Sequence, residues 1–210
     1  MDSFKKGLKW FFTSFIWLGV ILLILDFVTK ISVVLNKGYI LSSGGIVLIP
    51  NFLRINYLIN NNMVFGISLG SDLTNRIVFC VFALLIIIGL IIFTVIKWGK
   101  LNKFYRATIM MILAGAIGNV IDRIFYSPTF LGSPVNGVVD WIDFYGIWKF
   151  NFNIADSCVV VAAIMLIVYM IVNEIIDYRK NSKDKPKEDN EKVLSKTEQE
   201  KNTYLEDKDE

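Results

Sequence analysis

The chain has 210 residues, of which 54% are hydrophobic, and a formal net charge of +3. That apolar fraction excludes an ordinary soluble domain and points to one integral membrane domain. The small charge, with no basic patch interleaved with aromatics, gives no support to nucleic acid as a partner, and the absence of histidine excludes Ser-His and Cys-His nucleophile systems and disfavours a zinc hydrolase.

Four apolar runs follow in chain order: Trp10 to about Val34, Ile77–Ile96, about Ala107–Phe125 and about Phe152–Ile176. Each is near the roughly 20 residues that a spanning helix needs. The first opens like a signal peptide, with Lys5, Lys6 and Lys9 before it. Its apolar run is too long for that, and no small-residue cleavage site follows, so it reads as a retained span. The expected fold is an all-α membrane protein, a four-helix transmembrane bundle. Lysine and arginine set its orientation. The N-terminus, the loop carrying Lys97, Lys100, Lys103 and Arg106, and the start of the tail at Arg179 and Lys180 share one side, read as cytoplasmic.

The two remaining loops then face outward. Gly45–Tyr57 alternates loosely and is rich in β-branched and aromatic residues, which predicts short strands and a small extracytoplasmic sheet. The second outer loop holds the turn formers Pro128, Gly132, Pro134 and Gly137. Trp141 and Trp148 suit a membrane interface. Residues 1–180 form the expected bundle domain. Residues 181–210 are charged with almost no core formers, and read as a disordered or loosely helical cytoplasmic tail. Cys80 and Cys158 both lie in apolar runs and read as buried free thiols.

Three of the runs carry a polar stripe. Asp26, Thr29 and Lys30 share one face, as do Asn119, Asp122 and Arg123, and Asn153 with Asp156. A charge at hydrocarbon depth costs several kcal/mol unless paired or hydrated, so the stripes need a reason. Asp26 lies 16 residues beyond Trp10, and Asp122 lies 16 beyond Arg106, each about 24 Å of helix. Asp156 enters from the other side, about 6 Å down. All three are expected in the outer third of a core of about 30 Å. Ion pairing, Asp26 with Lys30 or Asp122 with Arg123, would also account for those four charges. It does not serve Asp140 and Asp156, which have no basic neighbour at helical spacing. Gly115 and Gly118 give the third run a close-packing surface.

Two carboxylates brought close cannot both ionise easily, so one keeps a proton. Such a pair can deprotonate a water with one group and protonate a carbonyl or leaving nitrogen with the other. That is amide hydrolysis without histidine, metal or cofactor. The residues alone leave Asp122 and Asp140 as alternatives for one half of the pair. Two serine readings compete weakly: Gly66–Gly70 matches G-x-S-x-G but lacks a histidine, and Lys30 could activate Ser32 or Ser68. A proton-coupled carrier, with the carboxylates as a relay, is the alternative from another class, although no internal repeat is visible.

Four segments resemble the lipoprotein signal peptidases, or signal peptidase II, a family of bacterial membrane aspartyl proteases. Asp26-Phe-Val-Thr29-Lys30 is similar to its D-x-x-T-K motif, and Gly118-Asn119-Val-Ile-Asp122-Arg123 to G-N-x-x-D-R. Val138-Val139-Asp140 is similar to V-V-D-F, and Phe152-Asn153-Ile-Ala155-Asp156-Ser157 to F-N-x-A-D-S. The family's N-x-G-A-A-F stretch appears as Asn60-Asn61-Asn62-Met63-Val64-Phe65, with Asn62 for glycine. Trp141 stands where phenylalanine is usual, and the segment from Arg123 to Asp140 is longer than in typical members.

The resemblance implies a catalytic dyad of Asp140 and Asp156. Asn60, Asn119, Asp122, Arg123, Asn153 and Ala155 would support it, and Asp26 and Lys30 would shape the site from the first span. It also implies the activity: removal of the signal peptide from diacylglyceryl-modified prolipoproteins, before the lipidated cysteine. Partners would be those substrates and membrane lipids, with no nucleic acid. A monomer is the expectation, although the residues do not show an oligomeric state. The expected location is the bacterial cell membrane, with both termini cytoplasmic and the site near the outer leaflet.

Overall fold

A computed structural model describes residues 2–60, 71–125, 137–145 and 147–206. The Gly66–Gly70 pentapeptide with Ser68, the stretch from Asn61 to Phe65, and Pro128, Gly132 and Pro134 lie outside the described residues.

The first apolar run is not one helix. Helix α1 (Asp2–Ser14) ends at Phe15, whose φ of 60° is left-handed, and α2 (Ile16–Leu35) starts afresh. A bulky residue in that region is uncommon and breaks the helical path. The candidate span therefore begins at Ile16 rather than near Trp10, and Asp26 is ten residues into it. The depth count from Trp10 does not apply.

A short helix α3 (Lys37–Ser42) closes on Gly44 and Gly45, both with positive φ, and the Gly45 amide donates to the Ile40 carbonyl. Strands β1 (Ile46–Ile49) and β2 (Leu53–Asn60) follow, in the stretch where alternation predicts them. Pro50 and Asn51 make their turn, with Asn51 at φ 58° and the Phe52 amide on the Ile49 carbonyl.

Helix α4 (Asp72–Lys97) is capped by Ser71, whose hydroxyl accepts the Thr74 amide at 3.2 Å. It runs into a 3-10 turn at Trp98–Lys100, and α5 (Lys103–Phe125) is capped by Asn102 through the Tyr105 amide. Strands β3 (Val138–Asp143) and β4 (Asn151–Phe152) come from the second outer loop, which the sequence marks only with turn formers. Helix α6 (Ile154–Glu206) begins two residues later than its apolar run, because Phe152 is in β4.

The four strands form one antiparallel sheet in the order β1-β2-β3-β4. Leu58 faces Asp140 and Ile59 faces Val139 across the β2–β3 pair, with a bulge between Ile55 and Leu58. Ile55, Tyr57 and Ile59 of β2 and Val139 and Trp141 of β3 pack on Val33, Val34 and Ile40. Trp141 thus belongs to the packing of the sheet against α2 and α3. The strand alternation sends Asp140 to the other face.

Residues 1–164 form one compact unit and residues 165–210 a second. The second is the continuation of α6, helical to Glu206. Four helices, Ile16–Leu35, Leu73–Lys100, Lys103–Phe125 and Ile154–Lys180, are long and apolar enough to cross a membrane. Large apolar side chains such as Ile24, Phe82, Leu85 and Ile96 point outward from them, as a hydrocarbon solvent permits.

Candidate active site

The start of α6 builds the first half of the site. Asn153 is its N-cap, and its Oδ1 accepts the Asp156 amide at 2.8 Å. Asp156 Oδ2 accepts the Asn153 amide in return at 3.3 Å. This is a reciprocal capping box with aspartate at the third helical position. The local spacing alone therefore turns Asp156 back toward the mouth of the helix, where partial positive charge favours a carboxylate.

Strand β3 supplies the second half. Asp140 is 1% exposed. Its Oδ1 accepts from Asn153 Nδ2 at 2.7 Å and its Oδ2 from Asn60 Nδ2 at 2.9 Å. Asp156 Oδ1 accepts from Asn119 Nδ2 at 2.8 Å. Among the described residues each of the four carboxylate oxygens thus has one donor, and every such donor is a neutral amide. Burial raises the Asp140 carboxyl to about 7, and the Asp156 charge pushes the same way. The amides of Asn60 and Asn153 oppose both effects without cancelling them.

The other buried acids of the site share a cation. Lys30 Nζ lies 2.7 Å from Asp26 Oδ2 and 3.1 Å from Asp122 Oδ2. The expected Asp26–Lys30 pair is present, but Asp122 pairs with Lys30 across helices and not with its neighbour Arg123. Each of these two acids also holds a backbone amide. Asp26 Oδ1 accepts from Ala155 at 2.8 Å, and Asp122 Oδ2 from Val139 at 3.0 Å. Those residues immediately precede Asp156 and Asp140. One buried lysine therefore ties together the two backbone segments that carry Asp140 and Asp156. It also reaches Asn119 Oδ1 at 3.4 Å, whose other amide atom holds Asp156.

Small residues allow this convergence. A Cβ on Gly115 would collide with the Ala155 carbonyl oxygen, and one on Gly118 would lie 2.6 Å from Asp26 Oδ2. Ala155 itself is 1% exposed, with no room for a larger side chain. Arg123 makes no ion pair among the described residues; its guanidinium donates to the Asn119 carbonyl and lies 5.5 Å from the Phe79 ring centre.

All ten residues singled out in the sequence are therefore held in or against one polar network, while Thr29 is not drawn in: its hydroxyl donates to the Leu25 carbonyl of its own helix. Ser32 likewise donates to Val28, and Lys30 is committed to two carboxylates, which removes their pairing as a dyad. Asp143, left without a role by the sequence, pairs with Arg54 at 2.6 Å and accepts from Asn56 at 3.2 Å. Neither partner was legible, because strand pairing across 87–89 residues brings them in. Beside the network, a cavity of about 310 Å3 lies between α2 and α5, lined by Leu23, Ile24, Phe27 and Ile121, with Asp26, Gly118 and Asp122.

Residues 18–172 match the signal peptidase (SPase) II family. The chain is 37% identical over 153 residues to the lipoprotein signal peptidase of Clostridium novyi, covering 71% of this chain and 91% of that one. It is 36% identical over 157 residues to that of Fusobacterium nucleatum, covering 73% and 84%. Among solved structures, a bacterial membrane enzyme determined by the in meso method matches with a TM-score of 0.56 at 29% identity, covering 76% of this chain and 88% of the other. A second such structure matches with a TM-score of 0.54 at 30% identity, covering 74% and 90%. The family is one of peptidases, which sets the carrier reading aside. The match reaches into all four apolar helices and includes every residue of the polar network, so the chain is a multi-pass bacterial membrane protein and belongs to the signal peptidase II family.

Proposed function

We propose that this chain is an aspartic endopeptidase that removes signal peptides from diacylglyceryl-modified prolipoproteins, cutting before the lipidated cysteine with Asp140, Asp156 and one water. The observation that carries the reading is how cations are distributed among the buried acids. Asp26, Asp122 and Asp143 each have a lysine or arginine within 4.0 Å, whereas among the described residues Asp140 and Asp156 have only amide donors. Two close carboxylates without a counter-cation retain a proton between them, which a hydrolytic pair needs.

With its carboxyl raised to about 7, Asp140 is partly protonated at neutral pH and is the acid. Asp156 is the base. It takes a proton from water as the hydroxyl adds to the scissile carbonyl carbon, and Asp140 protonates the carbonyl oxygen. A proton then passes to the amide nitrogen as the C–N bond breaks, giving a carboxylic acid and a free amine. Asn119, Asn153 and Asn60 hold the pair, and the Arg123 guanidinium, free of any carboxylate pair among the described residues, orients the substrate backbone.

The lipoprotein substrate is supported by the names of the curated relatives. A signal peptide and acyl chains would enter sideways from the bilayer, with the sheet as a cradle. Both termini would be cytoplasmic and the dyad near the outer leaflet, where water reaches it. The test is to change Asp140→Asn and Asp156→Asn separately and assay cleavage of a lipid-modified precursor. Each change is expected to lower the rate by about 10²- to 10⁴-fold. Processing at the parental rate by both variants would refute the proposal. Asp122→Asn is expected to impair cleavage without abolishing it; abolition there with an active Asp140→Asn chain would move the partner of Asp156 to Asp122.

A further inference from the structure

Helix α1 has three faces with different surroundings. At 100° per residue, Gly7, Trp10 and Ser14 fall on one side. Ser14 is fully buried, and the Trp10 ring lies 6.1 Å from that of Trp98. Arg106 donates to the Thr13 carbonyl at 3.4 Å and to the Trp98 carbonyl at 3.0 Å. This side is docked on the 3-10 turn and the start of α5. A second side carries Phe4, Leu8, Phe11 and Phe12, which are 75%, 47%, 40% and 55% exposed. The third carries Lys5, Lys6, Lys9 and Thr13.

Apart from Phe12, whose ring lies 6.5 Å from that of Trp17, the apolar side has no ring contact to another element among the described residues, and a contiguous patch of four large side chains is not left in water without a partner. Its position names the partner. Phe15 alone separates α1 from α2, which is a membrane span. The left-handed turn at Phe15 stops α1 from continuing that span, so α1 leaves the bilayer at its surface. Around it stand Lys97, Lys100, Lys103 and Arg106, brought to α1 by the Trp10–Trp98 and Arg106–Thr13 contacts. With the lysines of α1 they form a cluster of basic residues against a span end, the pattern that attracts anionic lipid. An amphipathic helix with aromatic and leucine residues on one face and lysines on another lies in the plane of such a surface. Residues 1–17 lie outside the family match, so this feature is separate from the peptidase site.

We propose that α1 is an in-plane anchor for an anionic lipid surface: Phe4, Leu8, Phe11 and Phe12 enter the headgroup–acyl boundary, and Lys5, Lys6 and Lys9 meet the headgroups. It would fix the depth of the first span, and with it the level at which Asp26 and Lys30 stand.

The test uses the full chain with Cys80→Ala and Cys158→Ala, carrying one further change at a time: Phe4→Cys, Leu8→Cys or Phe11→Cys, and Lys5→Cys, Lys6→Cys or Lys9→Cys. Each is spin-labelled and reconstituted into nanodiscs of equal parts phosphatidylglycerol and phosphatidylcholine, or of phosphatidylcholine alone, after a thermal melt has shown the parental fold. Oxygen, which concentrates in lipid, is expected to reach the first set in preference to a water-soluble nickel complex. The reverse is expected for the second set, so accessibility should oscillate with a period of about 3.6 residues. The apolar set should sit deeper in the phosphatidylglycerol discs, and Lys5→Gln, Lys6→Gln and Lys9→Gln together should remove that difference. Nickel access at every position would overturn the proposal, as would spin–spin broadening at Leu8, which would mean a second copy covers the face. Equal depth in both lipids would overturn the role of the headgroups.

Discussion

Lys30 decides which buried acids of this molecule have a cation beside them. Its side chain is 4% exposed, and it pairs with both Asp26 and Asp122. Lys30→Met would leave two buried carboxylates facing each other without a cation. The expected cost is about 3–5 kcal/mol, measured as a fall in thermal stability in detergent, and Asp26→Asn with Lys30→Met should recover part of it. Asp140 gives a prediction in pH. Its folded value of about 7 lies above the ordinary carboxylate value of about 3.9. Between those values the folded chain binds a proton that the unfolded chain has released. The stability it lends is therefore complete below about pH 4 and is lost as pH rises through about 7. An Asp140→Asn chain should show a flatter melting temperature over that range than the parent. Cleavage should fall on the alkaline side with an apparent value near 7, as the protonated acid is lost.

The pair of helices α2 and α5 depends on glycine at one point. A Cβ on Gly118 would stand 2.6 Å from Asp26 Oδ2 and 3.2 Å from the Ala155 Cβ. Asp26 cannot swing aside, because Lys30 and the Ala155 amide hold both of its oxygens. Gly118→Ala should therefore cost about 1–3 kcal/mol and lower cleavage, by displacing the first turn of α6 that carries Asp156. Gly89, whose Cβ would meet nothing within 4 Å, is the control: Gly89→Ala should leave both measurements unchanged. This element also shows why the polar network was easier to read from the sequence than the helix boundaries. The i, i+3 spacing of Asn153 and Asp156 reads directly as a shared face, and the structure shows it to be a local cap. The break at Phe15 cannot, because the apolar pattern runs through it and a phenylalanine does not announce a positive φ.

At the scale of the whole molecule, the residues of the network all lie in the unit 1–164, and the family match ends at residue 172. Removing residues 181–210 should therefore leave precursor cleavage by the full bundle within about twofold of the parent, assayed in membranes containing equal amounts of each chain; a loss of a power of ten, or about 1.4 kcal/mol, would give the charged segment a part in the reaction. The same scale explains what was missed. Strand β3 pairs with β2 across about eighty residues, as the Asn60–Asp140 contact does, and a six-residue run within a turn-rich loop carries no sign of a partner that far away.

By itself the sequence determined the four apolar helices, the short strands after the first, the i, i+3 placement of Asn153 and Asp156, and the set of polar residues that an apolar surrounding forces together. These follow from composition and from spacings within one or two helical turns, where side chains meet whatever the rest of the chain does. Only the tertiary structure decided that Lys30 serves both Asp26 and Asp122, that Asp143 belongs to Arg54, and that Asp140 stands on a strand and accepts from the Asn60 and Asn153 amides. Each of those depends on which distant segment arrives first within hydrogen-bond reach, and buried charge is distributed by that proximity and not by position along the chain.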